Sequence, residues 1–97
     1  MMNQQFNRIF LESCAEKLRA ISHPHRLAII DLLHNNGQMT VTDIHNYLHI
    51  EQAVASHHLS ILKNREVVSF QREGKNSLYQ LTNNEYYEII QMLTKVL

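Results

Sequence analysis

Apolar residues recur at three-and-four spacing early in the chain, at Phe6, Ile9, Phe10, Leu11, Cys14, Leu18 and Ile21. That spacing gathers them on one side of a helix, so an amphipathic helix is expected from about Gln4 to Ile21. Ser22 then offers a capping hydroxyl, and Pro24 suits a first helical turn because its missing N–H would have no partner there. The second expected helix runs from about Pro24 to His34, with Leu27, Ile30 and Leu33, beside Ala28 and Leu32, as its buried face. Asn35, Asn36 and Gly37 end it, the glycine supplying the positive φ that a helix C-terminus often requires.

Thr40 opens a third helix, with Asp43 three positions on in a near capping box and Val41, Ile44 and Leu48 facing inward. His49 and Ile50 form a short turn, and a fourth helix follows from about Glu51 to Asn64. Beyond it the period changes. Val67 to Arg72 and Ser77 to Leu81 read as strands rich in β-branched and aromatic residues, with Glu73, Gly74, Lys75 and Asn76 as the hairpin tip. A last helix is expected from about Asn84 to Leu97, carrying Tyr86, Ile89, Ile90, Leu93 and Val96 or Leu97. The expected fold is mainly α with a small β-hairpin, in the order α1-α2-α3-α4-hairpin-α5. That is the order of a winged helix-turn-helix domain with an extra helix at each end, in which the second helix of the turn unit enters the DNA major groove.

The fourth helix carries the clearest chemistry. Placed at 100° per residue, Val54, Ala55, His58, Leu59, Ile61 and Leu62 share one arc, while Gln52, Ala53, Ser56, His57, Ser60, Lys63 and Asn64 share the other. The second arc holds one charge and no acid. Glutamine, serine, histidine and asparagine can meet base edges and phosphates, glutamine pairing with adenine and serine with several bases. A merely polar surface is the plainer account. Arg72 and Lys75, around Gly74, equip the hairpin tip to reach a phosphate or the minor groove, although basic tips also occur on inert surfaces.

Composition adjusts this picture. With 97 residues, 44% apolar and 19% charged, the chain is expected to be one folded domain over 1–97, with a core small enough that a second subunit would add burial. No apolar run approaches the ~20 residues of a membrane helix, and Met1 to Arg8 lacks the apolar centre of a signal peptide. A single cysteine, Cys14, cannot form an internal disulfide, which points to a reducing cytoplasm. Zero formal net charge weighs against nucleic-acid binding and supports an alternative, a winged-helix module that binds protein. The position of the charges matters more than their sum. No glycine-rich phosphate loop, Ser–His–acid order or nucleophile elbow is present, so no enzyme activity and no cofactor are expected.

Three segments resemble one family. Ala20 to Leu33 (AISHPHRLAIIDLL) looks like the second-helix signature of the ArsR/SmtB family of bacterial repressors, Gln52 to Leu62 (QAVASHHLSIL) resembles its recognition helix, and Arg72 to Leu81 (REGKNSLYQL) is similar to its wing. The resemblance spans residues 15–82 and implies a homodimer, built from residues about 4–21 and 84–97, on an inverted-repeat operator in double-stranded DNA. The apolar faces of the terminal helices agree with such a dimer, or pack on their own domain. The resemblance places DNA contacts on Gln52, Ala53, Ser56 and His57; Ala53 stands where serine is usual and gives up one contact. Ser60, Lys63, Arg72 and Lys75 complete the expected DNA-binding set. Glu66 stands where the family often has glycine, which leaves the shape of that turn open.

Many members of that family sense metals. The corresponding third-helix positions are Thr40 and Thr42, poor ligands for soft metals beside thiolates, and the last helix holds no histidine or cysteine. Of seven histidines, His45 and His49 are four apart, His23 and His25 flank Pro24, and His34 closes the second helix. No converging set of three or four ligands is legible, so no metal site is expected. His57 is assigned to DNA, His58 to the core, and the others to surface or capping roles. Cys14 reads as a small buried hydrophobe, or as a thiol able to meet its symmetry mate across a dimer.

Overall fold

The computed structural model describes residues 6–97. The elements are α1 (Arg8–Ile21), α2 (Pro24–Asn36), β1 (Met39–Thr40), α3 (Val41–Leu48), α4 (Gln52–Asn64), β2 (Val68–Glu73), β3 (Asn76–Leu81) and α5 (Glu85–Leu93). This is the winged helix-turn-helix order that the sequence predicts, with one addition. The two-residue β1 pairs antiparallel with β3, Met39 opposite Tyr79 and Thr40 opposite Leu78, making a three-stranded sheet in the order β1-β3-β2. A strand of two residues has no detectable period, and its partner lies some forty residues away.

Local chemistry sets the helix ends. Asn7 caps α1 by accepting from the Phe10 N–H at 2.9 Å, so within the described residues the helix starts at Arg8; Gln4 and Gln5, included in the expected helix, lie outside them. The cap of α2 is His23 rather than Ser22: its Nδ1 accepts from the His25 N–H at 3.0 Å, while Ser22 closes α1. Asn35 and Asn36 extend α2 two residues past His34, because their side-chain amides donate back to the Asp31 and Leu32 carbonyls. Gly37 then turns the chain at φ +82°. Thr40 and Asp43 close a full capping box at α3. Glu51 flanks α4 as its N-cap without a side-chain cap bond.

The last helix is shorter than predicted. It ends at Leu93 rather than Leu97, because Thr94, Lys95 and Val96 switch to tighter bonds to the carbonyl three residues back. The Thr94 hydroxyl also donates to the Gln91 carbonyl at 2.6 Å.

The core sits where α2, α3, α4 and the base of the wing meet. Ile29, Ile30, Leu33, Ile44, Leu59, Leu62, Val67 and Val68 are essentially sealed from solvent. Ile29, outside the expected α2 stripe, is fully buried, whereas Leu27 and Ala28 are half-buried. The terminal helices behave differently. Only Ala20 and Ile21 of α1 are buried, and no residue of α5 is. Phe10, Leu11, Leu18, Ile89 and Leu93 remain exposed, and Ile9 is 77% exposed. A groove of about 420 Å³ between α1 and α5 is lined by Cys14, Leu18, Ile21, Tyr86 and Ile89.

Candidate nucleic-acid interface

The turn between α3 and α4 is compact. His49 ends α3 in the left-handed conformation at φ +56°, and the Ile50 N–H reaches back to the His45 carbonyl. His45 in turn donates from Nδ1 to the Ile50 carbonyl at 3.2 Å, which uses up the ring nitrogen nearest the turn. His49 leaves the helix here, so His45 and His49 do not act as an i, i+4 pair.

Ala55, Leu59 and Leu62, with His58, fix the inner side of α4 against the core. The opposite side is free. Gln52, Ala53, Ser56, His57, Ser60 and Lys63 are all exposed, as the 100° placement predicts. They form a row roughly 16 Å long at 1.5 Å per residue, a length that fits along a major groove.

The wing continues this surface. Lys63 at the end of α4 lies over the Phe70 ring of β2, 4.9 Å from its centroid, which ties the helix to the hairpin. Arg72 donates to the Ser77 hydroxyl opposite it in the register, at 3.3 Å. Strands β2 and β3 run to Glu73 and Asn76, leaving Gly74 and Lys75 as a two-residue turn, with Gly74 at φ +62°. Among the described residues the ion pairs are Arg8–Glu12 and Arg65–Glu16, so Lys63, Arg72 and Lys75 carry no carboxylate partner there. Behind the wing, Lys17 donates to the Arg65 carbonyl and Arg65 pairs with Glu16, anchoring α1 to the α4–β2 turn.

Comparison with known proteins places this geometry. The sequence pattern of the bacterial regulatory protein, arsR family, matches residues 23–69. An uncharacterized HTH-type transcriptional regulator of Methanocaldococcus jannaschii is 36% identical over 85 residues, covering 88% of this chain and 96% of that protein. The chain belongs to the arsR family. It is a DNA-binding transcriptional regulator, from a family that is not enzymatic. The transcriptional repressor PagR of Bacillus anthracis is 31% identical over 86 residues, covering 89% of this chain and 86% of PagR. Its crystal structure superposes with a TM-score of 0.78 over 90% of this chain and 99% of that one. NolR from Sinorhizobium fredii superposes at 0.83 with 26% identity, covering 99% and 94%.

Within this arsR-family frame, Glu66 settles the shape of its turn. It adopts φ +62°, the left-handed conformation that glycine takes most easily, so the backbone follows a glycine-like path despite the side chain. The expected third-helix positions hold no soft ligand: the Thr40 hydroxyl accepts from the Asp43 N–H, and Thr42 is exposed. His34 stacks on Tyr87 of α5 with ring centroids 3.7 Å apart and donates to Asn84 at 3.4 Å.

One cluster is not legible in the sequence. His58, 6% exposed, faces His23 and His25 from the start of α2, and Arg26 donates from Nη1 to His58 Nδ1 at 3.2 Å. Burial, with the nearby His23, Arg26, His25 and His57, lowers the His58 pKa to about 4. His23 is lowered as well, by burial and then by Arg26 and His25. The signal available in the sequence is the His-Pro-His step, but nothing in it pairs that step with position 58.

Proposed function

We propose that this arsR-family chain is a homodimeric repressor that binds an inverted-repeat operator. Gln52, Ser56 and His57 read base edges, Ala53 lies against them, and Ser60, Lys63, Arg72 and Lys75 hold the sugar-phosphate backbone. The observation that carries this reading is the exposed, acid-free row on α4 that runs into a wing whose cations have no carboxylate partner among the described residues. Base-edge groups supply sequence discrimination, while the lysines and arginine supply the sequence-independent attraction. The exposed apolar faces of α1 and α5 support pairing of two chains, since small domains use such contacts to complete their burial. A two-fold dimer places two α4 helices on half-sites about one helical turn, ~34–36 Å, apart.

The test is selection of bound sequences from a random duplex pool, followed by titration at several salt concentrations. An inverted repeat bound with a steep salt dependence supports the reading. Recovery of no consensus, with no salt-dependent binding, overturns it in favour of a protein-binding winged helix.

A further inference from the structure

We propose that His23, His25 and His58 form a binding site for a borderline divalent transition metal of the zinc class. One ligand nitrogen from each of the three rings lies within 4.8 Å of the others. The ring centroids of His23 and His58 are 4.3 Å apart, those of His23 and His25 5.1 Å, and those of His25 and His58 5.3 Å. Zinc–imidazole bonds of roughly 2.0–2.1 Å in a tetrahedral site set these nitrogens about 3.3 Å apart, so they must close by up to about 1.5 Å, a movement within reach of side-chain rotation.

The backbone prepares this cluster. Pro24 fixes the first turn of α2, and the cap bond from the His25 N–H holds the His23 ring over that turn. His58 comes from the middle of α4, whose neighbours Leu59 and Leu62 lock the helix into the core. His25 and His58 thus converge from two helices, and His23 joins them from the cap that precedes α2.

The chemistry of the donors suits the ligand. Metals bind neutral imidazole, and burial disfavours the charged form of both His23 and His58. His25 Nδ1 and Arg26 Nε are buried without a hydrogen-bond partner. An unpartnered buried polar atom is unfavourable, and ligation of His25 Nδ1 removes one such defect. Three histidines leave a fourth tetrahedral position for water or an external ligand.

Ligation also has a structural consequence. His23 Nδ1 holds the α2 cap and His58 Nδ1 accepts from Arg26, so each of these two rings offers Nε2 to the metal. The ring proton then moves from Nε2 to Nδ1 within each neutral ring, with no net proton release. Arg26 must release His58, and the His25 N–H loses its His23 acceptor. The ion replaces these bonds with a direct link between α2 and α4, and α4 carries the DNA-reading row. The site is separate from Thr40 and Thr42 in α3 and from α5, the positions that the family resemblance singles out.

The test uses the full chain, made without an affinity tag and stripped with chelator, titrated with zinc(II) against a chromophoric competitor. Cobalt(II) serves as a second, spectroscopically visible probe. One zinc per chain is expected, with a rise in Tm and a cobalt spectrum of tetrahedral type. His23→Asn keeps a good helix cap while removing the imidazole, and His25→Ala removes a ring outside the core. Each should weaken zinc binding at least tenfold while circular dichroism shows the fold retained. His49→Ala should leave binding unchanged. Absence of stoichiometric binding by the unmodified chain, or unaltered affinity in both H23N and H25A, overturns the proposal. None of these readouts involves DNA, so their failure is distinct from failure of the operator reading.

Discussion

Arg26 of α2 donates to the buried Nδ1 of His58 on α4, 3.2 Å away, so a charged side chain at the start of one helix holds the inner face of the other. His58 sits beside His57, whose ring centroid is 5.5 Å away and which faces outward. Adjacent histidines therefore have opposite surroundings, one in the core and one on the exposed row proposed to meet DNA.

That burial makes stability depend on pH. In metal-free protein His58 has a folded pKa of about 4, against the ordinary 6.5 of the unfolded chain. Between these values the unfolded chain binds more protons than the folded one. The contribution of His58 is therefore fully present above about pH 6.5 and is lost as pH falls toward 4, by roughly 3 kcal/mol in total. Urea unfolding in chelator at pH 7.5, 6 and 5 should show this decline, and His58→Gln should flatten it. An equal slope in the variant would remove His58 as the cause.

Base reading and backbone attraction should separate by mutation. Ser56→Ala with His57→Ala is expected to weaken operator binding by roughly 1–3 kcal/mol per residue, with little change on random DNA. Unchanged operator affinity in this double variant would sink the α4 assignment.

Arg72→Ala with Lys75→Ala should act differently. Affinity is expected to fall alike on operator and random DNA, and the slope of log K against log salt to shrink by about 1 for each phosphate no longer neutralised. A weakening confined to the operator would instead make the wing a base reader.

The exposed apolar faces of α1 and α5 predict a dimer that one charge can break. Leu18 and Ile89 line the same groove, so Leu18→Glu or Ile89→Glu should convert a two-chain mass in light scattering to a one-chain mass, with helical content retained. A monomeric unmodified chain at micromolar concentration would contradict this arrangement.

Glu66 offers a test of backbone strain. A left-handed non-glycine residue costs roughly 1–2 kcal/mol, and glycine recovers this less an unfolded-state entropy term of about 0.5–1 kcal/mol. Glu66→Gly should therefore raise stability by up to about 1.5 kcal/mol, and Glu66→Val should lower it, both read from denaturant midpoints. The Thr82 hydroxyl bond to the Glu66 carbonyl involves only the backbone of Glu66 and should survive either change.

Much of this is legible along the chain. The capping box at Thr40 and Asp43, the turn at Gly37 and the exposed row on α4 rest on residues a few positions apart, whose geometry follows from helical period and local hydrogen bonds. The α2 cap is the exception among the local features. Serine is the commoner cap, so the sequence points to Ser22, and only the folded turn shows the His23 imidazole in that place.

The sequence by itself determined the order of helices and wing, which side of α4 is apolar, and the family signature, because all three depend on short-range pattern. Tertiary structure alone decided that β1 pairs with β3, that Glu66 takes a glycine's conformation, and that His58 meets His23 and His25. Each of these joins or strains residues through packing across tens of positions. No local period encodes such a meeting; it exists only once the core between α2 and α4 has closed.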